Sequence, residues 1–301
     1  MKIPQLLAIV FAFSLIACKN QPKITQCSSF EKSQVLLYEN FESKFVDSRN
    51  VEIFLPAGYN PESTDKYKVL YMHDGQNVFN PKTSYTGIDW GVDEAIDSLM
   101  KAGKIKNTIV VAPWNTPKRF VEYMPKSPAE ASENPVYVKE MKKEYGFDGL
   151  YSDEYLKFLV EELKPFIDKT YNTSTKVEDT SIMGSSMGGL ISLYAICEYP
   201  EVFGAAGCIS THWPVDYLGE AYIKTLPKSL PLPENHKIYF DFGTVGFDAK
   251  YEPYQNIVDE MMLQKGYIRG DNWMTKKVEG ASHSEKSWKE RIHIPLQFLL
   301  N

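Results

Sequence analysis

The chain has 301 residues, 43% hydrophobic and 24% charged, which is ample for a core and excludes a disordered, collagen-like or small disulfide-stapled protein. Its 33 Lys and Arg against 39 Asp and Glu give a formal charge of −6. With no basic cluster, binding to a nucleic-acid backbone is excluded as its main task.

In chain order, Lys2 is followed by a nearly unbroken apolar run from Leu6 to Ala17. That run is too short to span a membrane, and with one preceding positive charge it predicts a signal peptide over residues 1–17. It ends at Leu15-Ile16-Ala17-Cys18, which resembles the cleavage box of bacterial lipoproteins. The resemblance implies a lipid on the Cys18 sulfur and an exported domain held at a membrane of the cell envelope, periplasmic or on the outer surface. Plain secretion with an incidental cysteine is the alternative. Residues 18–33 are polar without a period and read as a tether, which leaves 34–301 as one domain. Cys27, Cys197 and Cys208 make an odd remainder with no complete disulfide framework, and the last two fall in apolar runs that predict small buried hydrophobes.

Val51–Leu55 and Val69–Met72 are apolar runs bounded by turn residues and predict strands. Val92, Ile96, Leu99 and Met100 carry helical spacing, with Gly103 as a stop. Thr108–Ala112 is a β-branched run of the kind that is buried on both faces. Leu156, Leu159, Val160, Leu163 and Ile167 predict a second amphipathic helix. Thr180–Met183, Ala205–Ser210, Ile238–Phe242 and Trp273–Val278 predict the remaining strands, with helices opening near Met187, Tyr254 and Ser284. Such alternation predicts an α/β domain with a mostly parallel sheet covered on both faces. The long stretch 114–149, rich in proline and aromatics, breaks the rhythm and predicts an insertion over a pocket.

Gly184-Ser185-Ser186-Met187-Gly188 is a G-x-S-x-G pentapeptide set between a strand and an apolar helix. A serine on that sharp turn lifts its hydroxyl off the sheet, and small residues two before and two after make room for the turn. Ser186 is therefore the candidate nucleophile and the Met187 N–H a candidate oxyanion donor, with Ser185 a packing residue. The base belongs in the loop after the last strand, where His283 stands; His293 falls inside the terminal helix and His236 at the wrong end of the sheet. The acid belongs just past Ile238–Phe242, which favours Asp248 in the following loop over Asp241 within the strand. The loop His73-Asp74-Gly75-Gln76 follows the third strand and offers the Gln76 N–H as second oxyanion donor. No third ligand stands at a useful spacing to make His73 and Asp74 a metal pair, so they are taken as pocket residues. His212 and Trp213 follow a strand to the same rim and are taken likewise, His212 with a structural role as its alternative.

Val69–Phe79, Asn115–Pro125, Tyr155–Asp168, Gly184–Gly189 and Gly280–His283, in that order, resemble an esterase family of α/β-hydrolases. It includes enterochelin-type siderophore esterases and acetylxylan or feruloyl esterases, and the similarity runs from about residue 35 to 300. The resemblance implies serine carboxylesterase chemistry through Ser186, an acid and His283, with Arg119, Glu122 and Tyr123 bordering the site. Relatives often carry a carboxylate nearer the Gly-Thr pair, where this chain has Val245-Gly246. The implied substrate is a small-molecule or oligosaccharide ester, either an acylated or feruloylated carbohydrate or a siderophore ester, with no cofactor or metal. The alternatives are an acyltransferase and a glycan-binding surface lipoprotein without catalysis.

Overall fold

Apolar side chains of the central strands point alternately to two layers, one on either side of a single sheet. In a computed structural model, which describes residues 31–131, 143, 146, 149–214 and 216–301, the sheet has eight strands in the order β1-β2-β4-β3-β5-β6-β7-β8. They are β1 (Gln34–Phe41), β2 (Arg49–Leu55), β3 (Lys68–Met72), β4 (Thr108–Pro113), β5 (Thr180–Ser185), β6 (Ala205–Ile209), β7 (Lys237–Val245) and β8 (Trp273–Ser282). β1 pairs with β2, and β2 with β4, antiparallel; every other pair is parallel. This is the mostly parallel α/β sheet that the strand–helix alternation predicts. The signal segment, Cys18, Cys27 and most of the expected tether lie outside the described residues, as does much of the expected insertion over 114–149.

Val69, Tyr71, Ile109 and Val111 face one layer, while Leu70, Met72, Val110 and Ala112 face the other. Both faces are covered, which is why these strands read as continuous apolar runs. The helices are α1 (Val92–Lys101), α2 (Arg119–Tyr123), α3 (Lys126–Glu130), α4 (Ser152–Lys157), α5 (Lys164–Thr170), α6 (Met187–Glu198), α7 (Asp216–Ser229), α8 (Glu252–Lys265), α9 (Glu285–Arg291) and α10 (His293–Leu300). A π-helical stretch, Phe158–Leu163, joins α4 to α5. Ile96 and Leu99 of α1 meet Leu296 and Leu299 of α10 in one layer. α6 is buried at every position from Met187 to Ile196 and sits centrally in the other, as an all-round apolar helix must.

Three elements depart from expectation. β1 escapes the sequence pattern because it lies at the sheet edge with only Tyr38 buried along it. α7 escapes because Gly219 and Pro227 look like helix breakers, yet Gly219 serves close packing: a Cβ there would lie 1.7 Å from the Trp213 carbonyl oxygen. The single terminal helix is two, and His293 opens α10 instead of lying inside one long helix. Cys197 and Cys208 are free thiols. Burial raises both thiol pKa values, that of Cys197 to about 12, as suits small packing residues.

Candidate active site

β5 ends at Ser185 and α6 begins at Met187, so Ser186 alone turns the chain. Its φ of 60° and ψ of −120° lie where a side chain is strained, at about 1–3 kcal/mol. Four bonds hold the turn: Ser186 N–H donates to the Ile209 carbonyl at 2.9 Å, and the Ser186 carbonyl accepts from Gly189 at 3.0 Å, His212 at 3.2 Å and Leu190 at 3.3 Å. A Cβ on Gly184 would lie 2.9 Å from the Gly188 backbone, so glycine is needed at 184. On Gly188 it would meet only His73 Cβ at 3.5 Å and Asp74 Oδ2 at 3.6 Å, so the expected demand for smallness is strict at the first position and relaxed at the second. Ser185 is buried within the sheet.

The Ser186 Oγ lies 2.9 Å from His283 Nε2, and His283 Nδ1 lies 2.6 Å from Asp248 Oδ1. β8 and the residues that follow it deliver His283, while Asp248 opens a short 3-10 turn, Asp248–Lys250, beyond β7. The Asp248 carboxylate also accepts from Gly243 N–H at 2.8 Å and from Ser210 Oγ at 2.7 Å. Burial alone would raise its pKa, but the bonds from His283, Ser210 and Gly243 hold it below the usual aspartate value. Asp241, the other carboxylate considered, never reaches His283; it is paired with Arg291 at 3.0 Å within the sheet. A neutral imidazole between a hydroxyl and a buried carboxylate can take the hydroxyl proton and stabilise the resulting charge.

Aromatic rings wall this group. Trp288 packs edge-on to His283 at 5.0 Å and Phe247 at 5.5 Å. The Tyr251 hydroxyl lies 3.3 Å from His283 Nδ1 and 2.9 Å from His212 Nδ1. His212 in turn stacks on Phe247 at 5.1 Å, so it belongs to the rim of the site. Tyr251, Trp288 and Arg291 have no separate signal in the sequence; for Ser210, the end of β6 beside the serine turn is the signal.

β3 neighbours β5, with Met72 level with Met183, so the loop after β3 stands beside the serine turn. Gln76 lies in a 3-10 turn, Gly75–Asn77, that follows Asp74 at a φ of 61°. A Cβ on Gly75 would lie 2.1 Å from the Ala112 carbonyl oxygen, so only glycine lets this loop press against β4. The Met187 N–H is the first of α6 and has no partner within its own helix.

The remaining expected pocket residues are tied into the body of the domain. Asp74 is buried in a two-bond pair with Arg119, both at 2.7 Å, and accepts from Asn115 at 2.6 Å. Burial would raise its pKa, but the Arg119 charge and these bonds bring it below the usual range. His73 is fully buried with Nδ1 2.8 Å from the Tyr155 hydroxyl, and burial pushes its pKa down to about 3, so it is a neutral packing residue. The Tyr123 hydroxyl accepts from the Asp74 N–H, with its ring in the core. Glu122 is locked to Arg49 by bonds of 2.7 and 3.0 Å, and Trp213 is buried with its indole donating to Gln255. His73, Asp74, Glu122, Tyr123 and Trp213 are all buried, whereas Arg119 is partly exposed.

A cleft of about 320 Å³ lined by Lys44, Asp47, Lys118, Glu122 and Tyr151, among others, shares no residue with the Ser186–His283–Asp248 group. Among the described residues, Asp89, Asp93 and Glu94 bring carboxylate oxygens within 4.8 Å of one another. The Lys289 ammonium meets Asp89 at 2.9 Å, so this cluster already has a cation of its own.

A family profile described as "Putative esterase" matches residues 43–294. The chain belongs to this family. As an esterase it hydrolyses ester bonds, and its fold is that of the α/β-hydrolases. It is 22% identical to the uncharacterized protein YbbA of Bacillus subtilis over 261 residues, 84% of this esterase and 92% of YbbA. It is 28% identical to the ferri-bacillibactin esterase BesA of the same organism over 175 residues, 56% of each chain. A solved ferulic acid esterase superposes with a TM-score of 0.65 at 19% identity, covering 89% of this chain and 98% of that one.

Proposed function

We propose that this esterase is a serine carboxylesterase in which Ser186 is the nucleophile, His283 the base and Asp248 the acid. The observation that carries the reading is the continuous contact from Ser186 Oγ through both nitrogens of His283 to a buried Asp248 carboxylate. His283 Nε2 takes the Ser186 proton as Oγ attacks the ester carbonyl, and the Met187 and Gln76 N–H groups receive the developing oxyanion. The imidazolium then gives its proton to the leaving alkoxide, which leaves an acyl group on Ser186. Water, deprotonated by His283, attacks that acyl group; the carboxylic acid departs and the Ser186 hydroxyl is restored. The positive end of α6 points at the serine turn and favours the charged intermediate.

The substrate proposed is an ester with an aromatic or sugar ring, such as a feruloylated or otherwise acylated carbohydrate or a siderophore ester. Phe247 supports this, because it is 40% exposed on the rim while its ring lies 5.5 Å from His283. The names of BesA and of the ferulic acid esterase point to the same class. Fluorophosphonate labelling and turnover on acetyl, feruloyl and siderophore-lactone esters test the reading. Ser186→Ala should abolish labelling and essentially all turnover, while Ser185→Ala keeps measurable activity. Near-normal turnover by Ser186→Ala would sink the mechanism, and no turnover on any of the three esters would sink the substrate class. Lipid attachment at Cys18 is also proposed, on the resemblance of Leu15–Cys18 to the lipoprotein box.

A further inference from the structure

Behind the acid stands a chain of polar contacts that the catalytic steps above leave unused. Ser210 follows β6 with a φ of 41° and is fully buried. Its Oγ lies 2.7 Å from Asp248 Oδ2, 2.9 Å from Arg291 Nη2 and 3.1 Å from Trp288 Nε1. A guanidinium and an indole N–H are donors only. Together they occupy both lone pairs of the hydroxyl, so its single proton has one acceptor left, Asp248 Oδ2. Arg291 is itself fixed by Asp241, with Nε to Oδ2 and Nη2 to Oδ1 both at 3.0 Å, and by the Ser287 carbonyl at 3.0 Å. Tyr239 donates to Asp241 Oδ2 at 3.1 Å, and the Ser210 N–H to Oδ1 at 3.2 Å.

We infer that Ser210 is a positioning residue for Asp248, its proton aimed by Trp288 and Arg291, with Asp241 as the counter-charge that holds Arg291 in place. The charges alternate from Asp241 through Arg291 to Asp248, so two buried carboxylates share one region without facing each other. α9 supplies both Trp288 and Arg291, three residues apart on one helix face, and the same Trp288 ring rests against His283. Fixing Oδ2 from behind leaves Oδ1 turned to His283 Nδ1 and holds the imidazole in the tautomer whose Nε2 can accept the Ser186 proton.

The inference rests on the serine-esterase reading, and the full-length chain tests the two separately. Ser210→Ala and Ser210→Gly both delete the hydroxyl, but at a positive φ glycine is relaxed and alanine is not, so their melting temperatures should differ. In both, kcat should fall about 10- to 100-fold with KM within about 2-fold, the size of one hydrogen bond to a charged group. The low-field proton resonance of the His283–Asp248 bond should shift or broaden in both. Wild-type kcat in either variant, an unmoved resonance, or a loss that follows melting temperature instead of the hydroxyl would overturn the positioning role. Ser186→Ala, measured alongside, separates the readings. If it retains turnover, the mechanism itself fails; if it is dead while the Ser210 variants match wild type, only this inference fails.

Discussion

Asp241 and Asp248 differ in role because they differ in partner. One neutralises a buried guanidinium, the other meets an imidazole beside a hydroxyl. Asp248→Asn should lower turnover by about 10⁴-fold, the loss that a wrong tautomer brings to a serine–histidine–aspartate site, with little change in melting temperature. Asp241→Asn strands Arg291 and should cost about 3–5 kcal/mol of stability, read by denaturant unfolding, with a smaller effect on turnover of the folded fraction. His73 adds a pH dependence. Unfolded, a histidine binds its proton near pH 6.5; buried here, it stays neutral down to about 3. The unfolded state binds more protons across that interval, so stability falls as pH drops from about 6.5 towards 3. Below about pH 4 the depressed carboxyls of Asp74 and Asp248 extend the loss as they too are protonated. Melting curves from pH 7 to 4 check this, and His73→Gln should flatten the slope. Ser186 and His283 were legible because a strand–turn–helix spacing and a place after the last strand are local facts. The burial of His73 was not, since it depends on Tyr155, 82 residues away.

At the scale of elements, the site is as good as the closeness of the strands that carry it. Gly243 of β7 is pressed against β8, where a Cβ would lie 2.1 Å from the Ala281 carbonyl oxygen and 3.1 Å from Asp248 Oδ2. Gly243→Ala must push apart the two strands that lead to the acid and the base. We expect a loss of about 1–3 kcal/mol in stability and a drop in kcat beyond what the unfolded fraction explains, measured by unfolding and turnover on one preparation. The central strands were readable because burial on both faces demands unbroken apolar runs. β1 was not, because an edge strand with one buried side chain has no such demand, and α7 was not, because its glycine answers to Trp213 and not to helix propensity.

Over the whole molecule, the sheet has two unlike poles. The parallel strands end at one, where Ser186 and the residues that follow β3, β6, β7 and β8 converge, as open α/β sheets place their ligands. Fold class was readable at this scale from alternation alone, whereas residues 1–30, with the proposed lipid site at Cys18, lie outside the described residues. Cys18→Ala should move the esterase from the membrane fraction to the soluble one in a bacterial host; equal partition of both forms would remove the lipid from the account.

β1 runs antiparallel to β2 and β2 antiparallel to β4, so Gln34 sits level with Leu55, near the start of β4 and at the pole away from Ser186. Ser33 is pinned there to Asp97 of α1 at 2.5 Å. The described chain therefore enters the domain at the pole opposite the mouth of the site. With the lipid proposed at Cys18, we expect that mouth to stay open to ester-bearing polymers, read as equal turnover of a polymeric ester by the membrane-bound and Cys18→Ala forms.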